Sequence, residues 1–473
     1  MNSWTRKRVC VLGAGNAGLF AALILKLEKP GLDVFVVGSS EIGIVGVGES
    51  STEHINYFQN LIKATHKDVI QNAGATFKYG VYFDNWIGKD YVHSLVSQDA
   101  NPNELFMYTN MAHGVEPLEL TLPSNLKWEV NETDDLPNQF HFDTQKLNKW
   151  LVSLCEKHGV SLYDDKIELV NKDADGVISI ESMTAVYEAD LFVDATGFRR
   201  LLAKEFDEFE FVSKQDELFV DSAFAFPCEH EGDNYSCFTT AIKMDAGWMW
   251  RIPTSGRMGN GYCYSSRHLS YEGAIKEVTD KLGFKPNVAK TFKFDAGHYN
   301  KTWHKNVVLI GLSSHFFEPL EATAIGVGIQ QARLLAKYIN AEDMHDAYND
   351  VIQDIMMQVF AFVRLHYVNC EQTTEFWEDV SRSLLPEKVK KYIDIAQKRV
   401  LLCEDIGNVE WRIFGAHNWN QVLYALNLLP QQGLIDHVSA YNQIPRKREF
   451  EVKDTLPHKQ LIENWLNENS TNN

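Results

Sequence analysis

Apolar positions near the start of the chain change period within a short distance. Arg8 to Leu12 reads as a buried strand, Leu19 to Leu27 as an apolar helix, and Asp33 to Val37 as a second strand, which together make a βαβ opening. Phe77 to Trp86 alternates in part and is rich in Val, Tyr and Phe, predicting a strand, whereas Asp143 to Cys155 predicts a helix with Asp143 as its N-cap. Ser179 to Asp194 holds two further strands, the second over Ala189 to Asp194. Residues 206–300 are strand-like with many turns, as expected of a sheet forming one wall of a pocket. Val307 to Ile310 is a buried strand, followed by a glycine-containing segment and a helix over Gly328 to Ile339. Beyond it Tyr348, Val351, Ile352, Ile355, Val359, Phe362 and Val363 recur at helical spacing. The helical pattern continues to about Leu429, broken at Pro386, and the last dozen residues are expected to fray. No internal repeat is present. The fold class that follows is α/β: a Rossmann-like dinucleotide-binding module with an additional substrate-side β-sheet, over residues 1–335, and a mostly helical C-terminal cap, 336–473, that completes the substrate site.

Composition narrows the picture. The chain has 473 residues and is 45% hydrophobic, which suits a large core and excludes a disordered chain. Its net charge of −19, with no Lys/Arg run, argues against nucleic acid as a partner. Seven scattered cysteines without a CxxC pair fit reduced thiols in a cytoplasmic protein, with neither a disulfide frame nor a metal site. No apolar run approaches the roughly eighteen residues of a membrane span, so no membrane partner is expected. The abundant aromatics fill the core and also suit a pocket for a planar ring.

The turn after the first strand, Gly13-Ala14-Gly15-Asn16-Ala17-Gly18, has the spacing of a dinucleotide fingerprint. Gly13 allows the tight turn, Gly15 lets the backbone approach a pyrophosphate at a helix N-terminus, and Gly18 permits close packing of helix on strand. The acid expected about twenty residues on, for a ribose hydroxyl, is replaced by Gly38; Ser39, Ser40 or Glu41 are the alternative donors and acceptors. A second strand returns to the same turn at Ala195-Thr196-Gly197. With no second fingerprint for a nicotinamide, these features favour FAD, reduced by a separate enzyme.

Four separated segments resemble the flavin-dependent tryptophan halogenase family: Gly46-Val47-Gly48-Glu49; Phe77-Lys78 with Phe83-Asp84-Asn85-Trp86; Gly247-Trp248-Met249-Trp250-Arg251-Ile252-Pro253; and Gly311 to Glu321, which ends in Glu318-Pro319-Leu320-Glu321. The WxWxIP run is the most specific of them. The resemblance implies FAD as FADH2 from a separate NAD(P)H flavin reductase, a halide ion (chloride or bromide), hypohalous acid as oxidant, and a small electron-rich aromatic substrate, indole-like or phenolic. It implies Lys78 as the catalytic lysine and Glu321 as the catalytic glutamate. Gly48, Glu49, Gly311 and Ile325 join the flavin site. Trp248 and Trp250, on one face of an extended segment, part substrate from flavin, and Thr323 and Ala324 hold halide. The resemblance implies a substrate contact at His93, and the residues themselves offer Trp411 and Trp419 as rings to stack on a bare indole or other ring. Family members commonly form homo-oligomers.

Each of these residues also has a plainer reading: a solvated lysine on a strand, a surface glutamate, a tryptophan pair in the core, a buried hydrogen-bonded His93. Two departures from the family pattern matter. Ala322 and Ala324 replace the Ser and Gly of the usual Glu-Ser-Thr-Gly run, with Ala324 expected to resist a positive φ. Residues 415–421, Gly-Ala-His-Asn-Trp-Asn-Gln, lack the paired tyrosines that hold the carboxylate of free tryptophan. The alternatives are a flavin-dependent aromatic monooxygenase on the same scaffold and a non-catalytic flavin-binding protein.

Overall fold

The computed structural model describes residues 7–44, 46, 49–94, 101–115, 129–131, 139–341, 344–407, 410–439 and 455–467. A six-stranded sheet forms the base of the molecule. Its order is Trp303–His304, Val307–Leu309, Leu191–Asp194, Arg8–Leu12, Asp33–Gly38 and Ser161–Asp164. All pairs are parallel except the edge pair of Trp303–His304 with Val307–Leu309. The last four residues of Arg8–Leu12 are buried: Val9 and Val11 pack on the helical side, and Cys10 and Leu12 on the side of the small sheet that carries Ile167, Val177, Ile180 and Tyr187. Helix Asn16–Glu28 lies against helices Thr323–Tyr338 and Thr144–Lys157. Asp143 caps the last of these, accepting from the N–H groups of Gln145 and Lys146 at 3.0 Å, as the sequence predicts.

The strand-rich middle folds into a seven-stranded sheet, in the order Lys290–Lys293, Ser222–Cys228, Met258–Tyr264, Gly247–Pro253, Phe238–Met244, Gly80–Asp84 and Tyr91–Ser94. It is antiparallel apart from the pairing of Phe238–Met244 with Gly80–Asp84. The helix Tyr271–Leu282 interrupts this stretch, capped by Ser270 and closed by Gly283 in the left-handed region; the expectation of strands and turns alone overlooked it.

The expected strand from Phe77 to Trp86 is two strands in two sheets. Thr76–Phe77 edges a three-stranded sheet with Phe140–Phe142 and Glu49–Ser50, and Gly80–Asp84 belongs to the seven-stranded one. Lys78 therefore sits in the link where the chain changes sheets. The helix expected from Gly328 begins earlier, at Thr323, because Gly326 and Gly328 are buried within it. A Cβ on Gly326 would stand 2.3 Å from Thr52 Oγ1, so glycine serves close packing here and does not break the helix. In the C-terminal part, Pro386 is the N-cap of helix Glu387–Ala396. Of the residues expected to fray, those up to 467 belong to helix His458–Asn467, and those after it lie outside the described residues. One hydrophobic core runs through both halves, joining Leu23, Trp248 and Val327 to Phe362, Trp419 and Ile462.

Candidate active site

A cavity of about 820 Å³ opens at the end of the six-stranded sheet. Its walls include Gly13 to Ala17, Ser39, Ser40, Ala195 to Gly197, Gly311 and Thr323 to Ile325. The fingerprint glycines act as their spacing predicts. Gly13 has φ +116°, and a Cβ there would lie 2.4 Å from the carbonyl oxygen of Ala195; Gly15 faces open space; Gly18 packs with its Cβ position 2.0 Å from the Gly13 carbonyl oxygen. Helix Asn16–Glu28 starts at Gly15 with no side-chain capping bond, leaving N–H groups for an anion. Asn16 Nδ2, in the same wall, is buried and has no partner among the described residues. A dinucleotide pyrophosphate fits this uncapped, glycine-lined corner.

Gly38 stands where an acid was expected because a Cβ there would meet the Ala14 side chain at 2.5 Å. An acid arrives from the neighbouring strand instead: Asp164 is the register partner of Gly38, lines the cavity, and accepts from the Ser40 N–H at 2.8 Å. The Ser40 hydroxyl, and after it that N–H, hold the Asp164 carboxyl below its ordinary range. Sequence reasoning missed Asp164, since only strand pairing brings it beside Gly38. Gly48 lies outside the described residues, and Glu49 opens the short strand Glu49–Ser50 opposite Phe142.

Of the two tryptophans, Trp250 lines the cavity. Its ring lies over Gly261 on the next strand, where a Cβ would come within 2.1 Å of it. Trp248 shares its face, with ring centroids 6.2 Å apart, but is core: its indole N–H donates to Glu318 Oε2 at 3.0 Å. Tyr367 donates to the same oxygen at 2.5 Å, and Glu318 Oε1 is buried without a partner among the described residues. Burial raises the Glu318 carboxyl to about 7 against the pull of these two donors.

Lys78 and Glu321 are both wholly buried, and neither lines the cavity. Lys78 Nζ donates to Ser50 Oγ at 3.2 Å and to the Ser51 carbonyl at 3.1 Å. Ser50 and Thr239, 3.5 Å apart at their hydroxyls, do line it, so the ammonium stands one hydrogen bond behind the wall. Burial lowers the Lys78 pKa to about 8, and the charge of Glu321 pushes it back up.

Glu321 ends a 3₁₀ turn, Pro319–Glu321, whose carboxylate is clasped between two imidazoles. His93 Nδ1 stands 2.9 Å from Oε2 and His366 Nε2 stands 2.9 Å from Oε1. Asn418 Nδ2 donates to His93 Nε2 at 3.1 Å, and Tyr91 OH lies 2.8 Å from His366 Nδ1. The Asn418 amide occupies His93 Nε2, which leaves Nδ1 to donate to the carboxylate. Burial alone would raise the Glu321 pKa, but the two imidazoles outweigh it and hold the carboxyl well below its ordinary range. His366 carried no signal in the sequence beyond a lone histidine at a helix end. His93, read as a substrate contact, is committed to Glu321 here.

Thr323 and Ala324 form the first turn of helix Thr323–Tyr338, which has no side-chain cap and points into the cavity. Ala324 is helical. The residue at positive φ is Ala322, at +56°, so the strain expected at Ala324 falls two residues earlier. Trp419 is wholly buried between Phe362 and Tyr392, at 4.8 and 4.7 Å between centroids, and its Nε1 has no partner among the described residues.

A glycine-lined cavity thus opens in front of the buried Lys78 and Glu321, and the sequence profile of the tryptophan halogenase family matches residues 8–440. The chain belongs to the tryptophan halogenase family. The halogenase is 29% identical over 439 residues to the 7-chloro-L-tryptophan 6-halogenase KtzR of Kutzneria sp., covering 82% of this chain and 85% of that protein. It is also 29% identical over 430 residues to the tryptophan 7-halogenase RebH of Lentzea aerocolonigenes, covering 82% and 81%. Among solved structures, Xcc4156, a flavin-dependent halogenase from Xanthomonas campestris, superposes with a TM-score of 0.81 at 26% identity, covering 97% of this chain and 98% of that one. The protein is a flavin-dependent halogenase, an oxidoreductase, and membership implies the use of FAD and halide. Among the described residues no helix of the halogenase is long and apolar enough to cross a membrane.

Proposed function

We propose that the halogenase transfers an electrophilic halogen to an electron-rich aromatic ring held between Lys78 and Glu321. Reduced FAD, when bound, supplies with oxygen and halide the hypohalous acid for the reaction. Gly13 to Gly18, Ser39, Ser40, Glu49, Ala195 to Gly197, Gly311 and Ile325 are the residues assigned to hold it, with Asp164 at the ribose end. Halide binds at the N-terminal turn of Thr323 and Ala324, where free N–H groups and the helix dipole favour an anion. Trp250, backed by Trp248, closes the flavin chamber against the substrate.

Lys78 donates a hydrogen bond from its ammonium to the hypohalous oxygen, orienting the halogen toward the ring carbon; as the carbon–halogen bond forms the oxygen–halogen bond breaks, and the oxygen takes the ammonium proton and leaves as water. Glu321 stabilises the cationic ring and takes its proton. The observation that carries this reading is the burial of Lys78 outside the chamber, one hydrogen bond through Ser50 from its wall. An oxidant leaving the chamber meets Ser50 and Thr239, then the ammonium. His93 and His366 orient the carboxylate and keep it ionised. Asn418, which fixes His93, comes from the helical cap, so we assign residues 1–335 to an FAD-binding module with an interleaved substrate-side sheet and 336–473 to a helical cap that completes the substrate site.

KtzR and RebH are halogenases of 7-chloro-L-tryptophan and of tryptophan, which favours an indole or a phenol as the reacting ring. The missing tyrosine pair at 415–421 argues against recognition of a free amino-acid end. A separate NAD(P)H-dependent reductase supplies FADH2 by diffusion, since the chain has one fingerprint and no second one for a nicotinamide. Free cysteines, most of them buried, favour a reducing, cytoplasmic setting. The full chain with FAD, such a reductase, bromide or chloride, and a panel of indoles and phenols is expected to give halogenated products by mass. Lys78→Ala should abolish them while hypohalous acid still forms, and Glu321→Gln should slow them about a hundredfold. No product with any halide, or wild-type rates in either variant, refutes the assignment.

A further inference from the structure

The stretch that matches the family ends at residue 440, yet a residue beyond it reaches the centre of the site. Strand Thr455–Pro457 pairs with Glu129–Asn131 and leads into helix His458–Asn467. The first residue of that helix, His458, is wholly buried. Its Nε2 accepts the backbone N–H of Phe77 at 3.0 Å. Its Nδ1, which then carries the ring proton, lies 3.3 Å from the Tyr235 carbonyl oxygen and 3.3 Å from Cys237 Sγ. Thr76–Phe77 is an edge strand, so the outward N–H of Phe77 has no neighbouring strand to meet, and the imidazole takes that place.

The consequence bears on Lys78. The amides of residues 77, 78 and 79 donate in turn to His458, to the Gln139 carbonyl at 2.9 Å and to the Cys237 carbonyl at 2.7 Å. His458 thus touches both flanks of Lys78, the Phe77 amide directly and, through its sulfur, the residue that receives the Tyr79 amide. The Trp465 ring, further along the same helix, packs edge-on against Phe77 at 5.8 Å. Burial lowers the His458 pKa to about 4, so the ring keeps its accepting nitrogen at neutral pH.

We propose that His458 is a positioning residue for Lys78: the C-terminal helix straps the link between two sheets so that the ammonium meets the oxidant leaving the flavin chamber. This rests on the role given to Lys78 above. An ammonium displaced by a fraction of an ångström captures less oxidant without changing how much is made.

The test uses the full-length halogenase with FAD, reductase, bromide and an indole, and measures both brominated product and hypobromite escaping to a 1,3-dione scavenger. His458→Phe should leave FAD affinity and total hypobromite within about twofold of wild type, lower kcat for product about tenfold with KM little changed, and shift the missing fraction to the scavenger. His458→Gln, whose amide oxygen can accept the Phe77 N–H, should recover most of the product. A wild-type ratio of product to escaped hypobromite in His458→Phe, or no recovery in His458→Gln, overturns the proposal. If His458→Phe does not fold, Trp465→Leu loosens the same helix with His458 in place and must shift the ratio in the same direction; an unchanged ratio there is equally fatal. Lys78→Ala, measured in parallel, separates the two readings: if it still brominates, the lysine assignment fails, and if it alone is inactive, only the strap does.

Discussion

Lys78 concentrates the energetics of the site in one side chain. An ammonium held by a serine hydroxyl and one carbonyl in a packed interior loses most of its hydration, and this lowers its pKa to about 8 against the pull of Glu321. If the ammonium acts, halogenation should fall as pH rises through about 8, while hypohalous acid formation need not follow. A pH–rate profile of product against escaped oxidant checks this, and a limb that rises through the same range would make the free amine the acting form. The stability sign is opposite. Because the folded pKa lies below the ordinary lysine value, the folded state binds fewer protons between about 8 and 10.5, and the contribution of Lys78 to stability grows with pH across that window.

At the scale of elements, the helix that opens with Thr323 and Ala324 begins under strain. Ala322, its N-cap, takes φ +56° and ψ +35° between the turn Pro319–Glu321 and helix Thr323–Tyr338. A residue with a Cβ pays about 1–2 kcal/mol there, and glycine would recover part of it, offset by the greater freedom of an unfolded glycine. Ala322→Gly should therefore raise stability by about 0.5–1 kcal/mol, read as a higher urea midpoint at constant slope. A lower midpoint would mean that the methyl makes contacts worth more than the strain. The elements also show why sequence patterns succeed and stop short. Asp143 was legible as a cap because its partners are two and three residues away. The strand from Phe77 to Trp86 was not legible as two, because the sheet each piece joins is decided by Phe140–Phe142 and Phe238–Met244, far along the chain.

At the scale of the whole molecule, the small three-stranded sheet of Ile167–Lys172, Val177–Ser182 and Val186–Glu188 leaves Leu169, Ile178 and Val186 half or more exposed. Apolar side chains grouped on one exposed sheet favour self-association, and we expect sedimentation velocity to find at least two chains together, shifting toward single chains in Leu169→Asp. A single-chain species at every concentration would remove this expectation. The high negative charge disfavours nucleic acid and leaves association to such apolar contacts.

The amino-acid sequence by itself determined what near neighbours decide. The strand, glycine turn and helix that begin the nucleotide cradle, the cap at Asp143 and the short motifs around Lys78 and Glu321 depend on residues within a few positions of one another, where backbone sterics and hydrogen-bond reach act directly. Tertiary structure alone decided which acid stands beside Gly38, that Glu321 lies between His93 and His366, that Trp250 faces the chamber while Trp248 is core, and that His458 grips the amide before Lys78. Those pairings join positions up to 381 residues apart. They follow from burial, since a polar group carried into the core must find whatever partner the packing brings to it, and no local pattern records which one that is.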